Sequence, residues 1–223
     1  MTALRAVVLA ALFLLVIGPR PARSQAPHPW TVSGRLALVE ERVRVDAGFG
    51  LERFSGVGLG LEVERRLGSR FTIGLSGQGA TLQPDASGDL DRRIGEADLS
   101  VLLSMNPSWG FYGGLTLRAI ANDAGRQRWL LGRIGGEVHP AFTGDRFRAI
   151  GRLGVIPLSS VDGLSPSSLA FDGAVGLEYQ QRRWALRLVY GLERFAFTSS
   201  TGARRDEQLS TLTFRGGIGV RKP

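Results

Sequence analysis

Apolar and polar residues alternate along most of the chain, beginning at residue 41 and continuing almost to its end. The alternation has a period of two, which is the side-chain period of a β-strand and not the longer period of a helix. Examples of the apolar rows lie within Val57–Val63, Ala97–Met105 and Trp184–Tyr190. The pattern predicts an all-β protein of ten strands, with eight as the alternative count.

Connections of two kinds separate the predicted strands, and both are rich in Gly, Pro, Asn, Asp and Ser. The tight turns, and one slightly longer connection, are Leu67–Ser69, Asn106–Ser108, Gln180–Arg182 and Pro140–Asp145. The longer polar loops are Pro84–Asp91, Asn122–Gln127, Ser159–Ser168 and Ser199–Glu207. Tight turns at one end and loops at the other predict an up-and-down antiparallel arrangement in a single domain.

The face opposite the apolar rows carries the charged side chains. We expect a structural polar network formed by Arg42, Arg44, Asp46, Glu62, Glu64, Glu96, Asp98, Arg118, Arg133, Glu137, Arg148, Arg152, Asp172, Glu178, Arg187 and Arg215. Arginines and acidic residues nearly balance on this face, which indicates paired ions and not the single-sign ring of a selectivity filter. Glycine, at 31 of 223 residues, fills many of the remaining positions. We expect it to leave room in which the long charged side chains meet.

Two architectures fit this pattern. A soluble sandwich or barrel turns its apolar face inward, whereas a transmembrane β-barrel turns that face toward lipid and encloses the polar one. The predicted strands of roughly 10–13 residues favour the second, because about 9–11 tilted residues cross a bilayer. A barrel of about ten strands is close to the size that side chains fill. We therefore predict an antiparallel up-and-down transmembrane β-barrel with a closed or very narrow lumen.

Aromatic residues also gather near the ends of the predicted strands, as the interfacial girdles of transmembrane barrels do. Those near the tight turns are Phe71, Trp109, Phe111, Tyr112, Phe147, Tyr179 and Trp184. Those near the loops are Phe49, Phe54, Trp129, Phe195 and Phe197. The two groups predict two girdles on the outside of the barrel.

Two predicted hairpins, Gly58–Gly74 and Gly176–Leu186, carry alternating apolar residues on both sides of a tight turn. They resemble the hairpins of the small outer-membrane β-barrel proteins of Gram-negative bacteria, and the resemblance extends over residues 40–221. It implies an outer-membrane location, contact with membrane lipid and lipopolysaccharide, and a monomeric state. It also implies outer loops that contact a surface ligand.

The first 24 residues have the features of a secretory signal peptide. One positive charge precedes an apolar run. Small residues at Ala22 and Ser24 predict cleavage before Gln25. The predicted organisation is a signal peptide over 1–24, a periplasmic lead-in over 25–40 and an outer-membrane barrel domain over 41–223.

Composition narrows the chemistry. The chain has no Cys and two His, which excludes disulfide scaffolds and thiol nucleophiles and leaves little room for a metal site. The net charge of +8 invites a nucleic-acid partner. However, arginines and acids are interleaved and no basic run exceeds two residues. His28 precedes the strands and His139 lies at a tight turn. We predict no catalytic residue, no metal, no cofactor and no nucleic-acid partner.

The resulting hypothesis is a non-enzymatic barrel with a structural or surface-interaction role in the cell envelope. The alternatives are a small-solute pore, an enzyme of unrecognised type, and a soluble secreted barrel that binds a hydrophobic ligand. Six arginines near the predicted loops are candidates for pairing with anionic lipid head groups. These are Arg92, Arg93, Arg126, Arg128, Arg204 and Arg205.

Overall fold

A computed structural model describes residues 30–46, 50–86, 90–123, 125–143, 146–181, 184–198 and 202–220. The predicted signal peptide and its cleavage point lie outside the described residues, as do His28 and Phe49. Among the described residues, no helix is long and apolar enough to cross a bilayer.

β-Strands form nearly all of the described chain. Their bounds are β1 (Trp30–Val45), β2 (Gly50–Leu67), β3 (Phe71–Pro84), β4 (Arg92–Asn106), β5 (Trp109–Asn122), β6 (Gly125–Val138), β7 (Ala141–Thr143), β8 (Phe147–Val161), β9 (Leu169–Gln180), β10 (Trp184–Thr198) and β11 (Arg204–Val220). All of these except β7 form one closed antiparallel barrel, in which each strand pairs with its neighbours in the chain. β7 is a three-residue strand between β6 and β8. The prediction of ten antiparallel barrel strands is confirmed.

The first and last strands close the barrel. Trp30 of β1 pairs with Val220 of β11, and the register continues without interruption to Val45 and Arg205. Residues 30–40, predicted as part of a periplasmic lead-in, therefore belong to the barrel wall. The physical reason is that β2 and β11 would otherwise each present an unpaired edge. The barrel begins at β1, earlier than the predicted residue 41.

The two faces of the sheet have the polarity predicted for the transmembrane architecture. Leu59 and Leu153 point outward and expose 68% and 71% of their surface, whereas Arg118 and Asp172 point inward and expose 4% and 0%. A continuous apolar outer surface of this kind is typical of a protein in contact with lipid and would favour aggregation in water. The arrangement does not fit the alternative of a soluble barrel.

The two ends of the barrel differ. We call the end with the β2–β3, β4–β5, β6–β8 and β9–β10 connections the short-turn end, and the opposite end the loop end. The connections at the loop end are only two to seven residues long. The predicted loop over 122–127 is reduced to residues 123–124, because β5 and β6 continue to Asn122 and Gly125. Strands, and not long loops, form most of the loop end.

The strands continue past the apolar band at the loop end. On β1 the outward-facing residues change from Leu36 and Leu38, both exposed and apolar, to Glu40 and Arg42, which form an ion pair. On β11 the same change leads from Leu212 to Gln208, the register partner of Arg42. The wall of the barrel therefore extends beyond the apolar band.

Some inward-facing glycines lie close to the backbone of a neighbouring strand. A Cβ atom on Gly60 would lie 2.6 Å from the backbone oxygen of Gly77, and one on Gly114 would lie 2.6 Å from that of Leu99. These glycines thus permit close approach of neighbouring strands, as glycine kinks do in curved sheets. The sequence led us to expect that glycines leave space for charged side chains. At these two positions the close contacts are instead with the backbone of a neighbouring strand.

Candidate functional site

The interior of the barrel contains a charged layer that joins opposite walls. Arg118 on β5 lies 2.6 Å from Glu96 Oε2 on β4 and 2.7 Å from Glu193 Oε2 on β10. Arg133 on β6 lies 3.0 Å from the other carboxylate oxygen of Glu193. Glu96 is the register partner of Arg118 on the adjacent strand. Three barrel strands separate β5 from β10 on the shorter path around the wall, so it is the contacts to Glu193 that cross the lumen.

Hydroxyl and amide groups complete this layer. Arg133 donates to Thr116 Oγ1 at 2.7 Å, and that hydroxyl donates to Asp98 at 2.5 Å. Gln78 donates to Glu96 at 3.0 Å. Buried ions are tolerated when such partners satisfy their remaining lone pairs and protons. The lumen at this level is filled by paired side chains.

A second group of ion pairs lies against β1, β2, β10 and β11. Glu62 contacts Arg35 at 3.1 Å and Arg215 at 2.5 Å. Arg187 contacts Glu64 at 3.8 Å and forms a closer pair with Glu178. The acidic residues on β2 and β9 are thus matched by arginines on β1, β11 and β10, the three strands between them.

A third group is built around a fully buried carboxylate. Tyr112 Oη lies 2.8 Å from both carboxylate oxygens of Asp172 and donates to them, and Arg152 Nε lies 3.3 Å from Oδ2. The Arg152 guanidinium also lies 5.0 Å from the centre of the Tyr112 ring. Gly154 faces this group, and a Cβ there would overlap Tyr112 Oη and lie 2.7 Å from the backbone oxygen of Ile134.

Gly154→Ala is therefore expected to destabilise the barrel by about 1–3 kcal/mol, since an extra methyl in a packed interior forces side chains or backbone to move. The matched control is Gly95→Ala, because a Cβ on Gly95 meets nothing within 4 Å. Urea unfolding in lipid vesicles measures both. Equal stability of the two variants would contradict the close packing around Asp172.

Above the charged layer, toward the loop end, the lumen is apolar. We call this region the apolar plug. It consists of Ala37, Val39, Phe54, Leu82, Ile94, Ile120, Trp129, Leu131, Ile156, Val161, Ala170, Phe195, Phe197 and Leu209. Ile120 packs against both halves of the plug and joins them. The plug therefore fills the lumen from wall to wall.

Three aromatic rings form the centre of one half of the plug. The Trp129 ring centre lies 5.2 Å from that of Phe195 and 5.3 Å from that of Phe197, both edge to face. All three side chains, and Phe54 in the other half, expose 3% or less of their surface. The prediction that these residues form an outer girdle is wrong, because they lie where the outward face is already polar and the interior is the apolar side.

The predicted girdle at the short-turn end fits better. Phe71, Trp109, Phe111, Phe147 and Trp184 expose 37–52% of their surface. Phe147, Tyr179 and Trp184 form a row, with ring centres 4.7 Å and 5.3 Å apart. Tyr112 is the exception, since it points inward to Asp172.

A group of ions covers the plug at the loop end. Arg92 lies 3.2 Å from Glu41 and 2.8 Å from Glu52, and its guanidinium lies 3.7 Å from the centre of the Phe54 ring. Arg205 pairs with Glu207. A cavity of about 10 Å³ lies between this group and Arg118, which is space for about one water molecule.

The predicted network residues occupy three kinds of position. Those with the interior contacts given above are Glu62, Glu64, Glu96, Asp98, Arg118, Arg133, Arg152, Asp172, Glu178, Arg187 and Arg215. Glu137 lies near the short-turn end beside His139. Arg148 on β8 is the register partner of Glu178.

Arg42, Arg44 and Asp46 do not belong to the interior, which corrects the prediction for this segment. Arg42 pairs with Glu40 on the outer face, Arg44 is exposed, and Asp46 lies in the turn after β1. The interior positions here are Glu41 and Val43, which expose 3% and 2%. Val43 and Leu51, on either side of this turn, belong to different strands, β1 and β2.

Further charged or polar residues of the interior are absent from the predicted network, and they include Arg35, Glu41, Tyr112, Glu193 and Glu207. Arg35 falls in the segment predicted as a lead-in. A repeat in the sequence points to Glu193: Gly50–Phe54 and Gly191–Phe195 have the same five residues. In both copies the glutamate and the phenylalanine point inward.

The six arginines predicted near the loops divide between the two faces. Arg92 and Arg205 point inward and form the ion pairs above the plug. Arg93, Arg126 and Arg128 are exposed on the outer side, and Arg204 is exposed beside Asp206. Adjacent residues of a strand point to opposite faces. In the dipeptides Arg92–Arg93 and Arg204–Arg205, one side chain therefore points inward and the other outward.

The chemical groups of common barrel catalysis are not assembled at the loop end among the described residues. His139, the one described histidine, pairs with Glu137 near the short-turn end. No group of three or more potential metal-ligating side chains occurs within the described part of the chain. The arrangement is suited to filling the lumen with matched ions.

No family model matches the chain, and no curated protein matches its sequence. Solved structures do match. The outer membrane protease OmpT from Escherichia coli is 11% identical over 90% of this chain and 99% of its own, with a TM-score of 0.58. Neisserial surface protein A is 12% identical over 88% and 100%, with a TM-score of 0.41. Ail, the attachment invasion locus protein of Yersinia pestis, is 13% identical over 83% and 97%, with a TM-score of 0.36.

At an identity of 11%, the likeness to OmpT concerns the fold and does not extend to its activity. The chain has the closed antiparallel barrel fold of Gram-negative outer-membrane proteins.

Proposed function

We propose that this protein is a non-enzymatic outer-membrane barrel that is sealed to solutes and serves a structural or surface-interaction role in the cell envelope. The observation that carries the proposal is the filled lumen. Any path through it must cross the apolar plug and then the charged layer centred on Arg118 and Glu193.

The plug supports sealing because an apolar constriction excludes water and ions, which is how hydrophobic gates close channels. The charged layer supports it independently. Its arginines and carboxylates are bound to each other across the lumen, so an ion that passed would have to break those pairs. A water-filled pore of a transport barrel needs neither arrangement.

The outward surface supports a membrane location. The exposed apolar band on the barrel wall and the aromatic side chains at the short-turn end have the distribution of lipid-facing surfaces. The exposed arginines at the loop end, Arg93, Arg126 and Arg128, would then lie near the outer head groups. Anionic phosphates of lipopolysaccharide are their proposed partners, and the protein is proposed to act as a monomer.

Two measurements on the unmodified protein test the proposal. We expect recovery in the outer-membrane fraction, with a gel mobility in SDS that changes only after boiling, because a closed barrel unfolds slowly. We also expect no stepwise conductance in planar bilayers at pH 5. Large steady conductance would favour the solute-pore alternative, and recovery in the soluble periplasm would contradict the membrane location.

A further inference from the structure

Two buried carboxylates face the top of the apolar plug from adjacent strands. Glu41 on β1 and Glu207 on β11 each expose 3% of their surface, and both line the cavity of about 10 Å³. Their strands pair with Val43 opposite Glu207, so the two glutamates are diagonal neighbours on the inward face. Burial of two like charges this close is costly unless something neutralises one of them.

The partners of this pair do not neutralise both carboxylates. The charged groups of the cluster and the strands around it are Glu41, Glu52, Arg92, Arg118, Arg205 and Glu207. Arg118, which reaches the cavity from below, is already bound by Glu96 and Glu193. Arg92 and Arg205 then face three carboxylates, which leaves one excess negative charge.

One oxygen of this cluster is buried and unsatisfied. Glu207 Oε2 has no hydrogen-bond partner among the described residues, and the Glu207 side chain exposes only 4% of its surface. A buried acceptor left without a partner is unfavourable. A proton on this carboxylate would remove the excess charge and supply the missing donor.

The size of the cavity selects the proton over other cations. A space of about 10 Å³ holds about one water molecule, whereas a bound Ca²⁺ needs at least six oxygen ligands. We propose that Glu207, which faces the charge of Glu41, holds a proton above the apolar plug, and that loss of this proton to solvent water loosens the loop end of the barrel.

The electrostatic surroundings of Glu207 also favour a bound proton. Its level lies outside the apolar band, beside the polar outward residues Asp206 and Gln208. Burial raises the pKa of the Glu207 carboxyl from 4.5 to about 7; Arg205 opposes this effect and Glu41 adds to it. When the loop end is open, water reaches the Glu207 carboxyl and it has its ordinary pKa. The closed state is therefore favoured by this group below pH 4.5, and the advantage is lost as pH rises through about 7.

The test rests on the proposed sealed barrel and uses the full-length protein in planar bilayers between pH 5 and pH 9. We expect the frequency of brief openings to rise by up to about tenfold per pH unit between pH 5 and about 7, where the closed barrel binds one more proton than the open one, and to level off at higher pH. Glu207→Gln imitates the protonated carboxyl at similar size. It is expected to keep the low frequency of pH 5 throughout.

Two further variants keep the experiment decisive. Glu41→Gln removes the facing charge that helps to raise the pKa of Glu207, so it is expected to move the rise to lower pH or abolish it, and it serves if Glu207→Gln does not fold. Glu40→Gln, which removes a carboxylate from the outward face of β1 next to Glu41 and leaves the interior cluster intact, is the control and should retain the pH dependence. A sealed barrel with no pH dependence would overturn the proton on Glu207 alone, whereas conductance already present at pH 5 would overturn the sealed barrel itself.

Discussion

Replacing Phe195 and Phe197 by alanine is expected to convert the silent barrel into one that conducts small ions. The two rings stack with centres 5.7 Å apart, both are 1% exposed, and both contact Trp129 at the centre of the plug. Their removal admits water to the charged layer below, where the arginines and carboxylates can hydrate. Single-channel recording of the double variant measures the change.

Stability should fall as well, because each truncation of a buried phenylalanine removes about 3–5 kcal/mol of packing. The matched control is Phe214→Ala, which removes the same ring from the outward face of β11, where it is 47% exposed. We expect that variant to stay silent. A double variant that folds, resists SDS and remains as silent as the unmodified protein would show that the charged layer seals the lumen alone.

Arg118→Met is expected to destabilise the barrel more than the loss of any surface arginine. Arg118 exposes 3% of its side chain and binds both Glu96 and Glu193. Its loss leaves two buried carboxylates without their common counter-ion, a change that costs about 3–5 kcal/mol. Unfolding by urea in lipid vesicles, followed by tryptophan fluorescence, measures this effect because Trp129 lies 5.8 Å from the Arg118 guanidinium.

Arg53→Met provides the comparison, since Arg53 forms only long contacts of 3.7–3.8 Å and its side chain is 44% exposed. An exposed pair of this kind contributes at most about 1 kcal/mol. The two predictions separate buried from exposed ion pairs in one barrel. If both variants lose the same stability, the cross-lumen pairs are not the main support of the charged layer.

Much of the architecture follows from the alternation of residues. A period of two identifies the two faces of each strand, and the length of the apolar rows indicates contact with lipid. That reasoning predicts the number of strands, their antiparallel order and the inward position of residues such as Glu62 and Asp172. The reasoning holds along the apolar band, because there the outward-facing residues of each strand are all apolar.

The same reasoning fails at the loop end, where the environment changes along a strand. Beyond the apolar band the outer face meets water while the interior is closed by the plug, so the polarity of the two faces is reversed. Arg42 and Arg44 were therefore assigned inward and Phe195 outward, although each follows the alternation. A period alone does not reveal such a reversal, because the pattern of apolar and polar residues continues across it.

Local irregularities add to the difficulty. β8 carries one extra residue opposite β6 near Pro157, where proline is tolerated because a bulge leaves its position without a ladder hydrogen bond. After this point Ser159 and Val161 become the buried positions of β8. A single inserted residue changes the face of everything that follows it.

The seam between β1 and β11 has a consequence for how the chain folds. The other barrel strands pair with neighbours in sequence, so their hairpins can form early, but Trp30 and Val220 are about 190 residues apart. Contacts of such high sequence separation are slow to form. Until the seam closes, two long strand edges remain open to other chains. Once it has closed, opening the barrel requires breaking that continuous register, and we expect the folded state to persist for kinetic as much as for thermodynamic reasons.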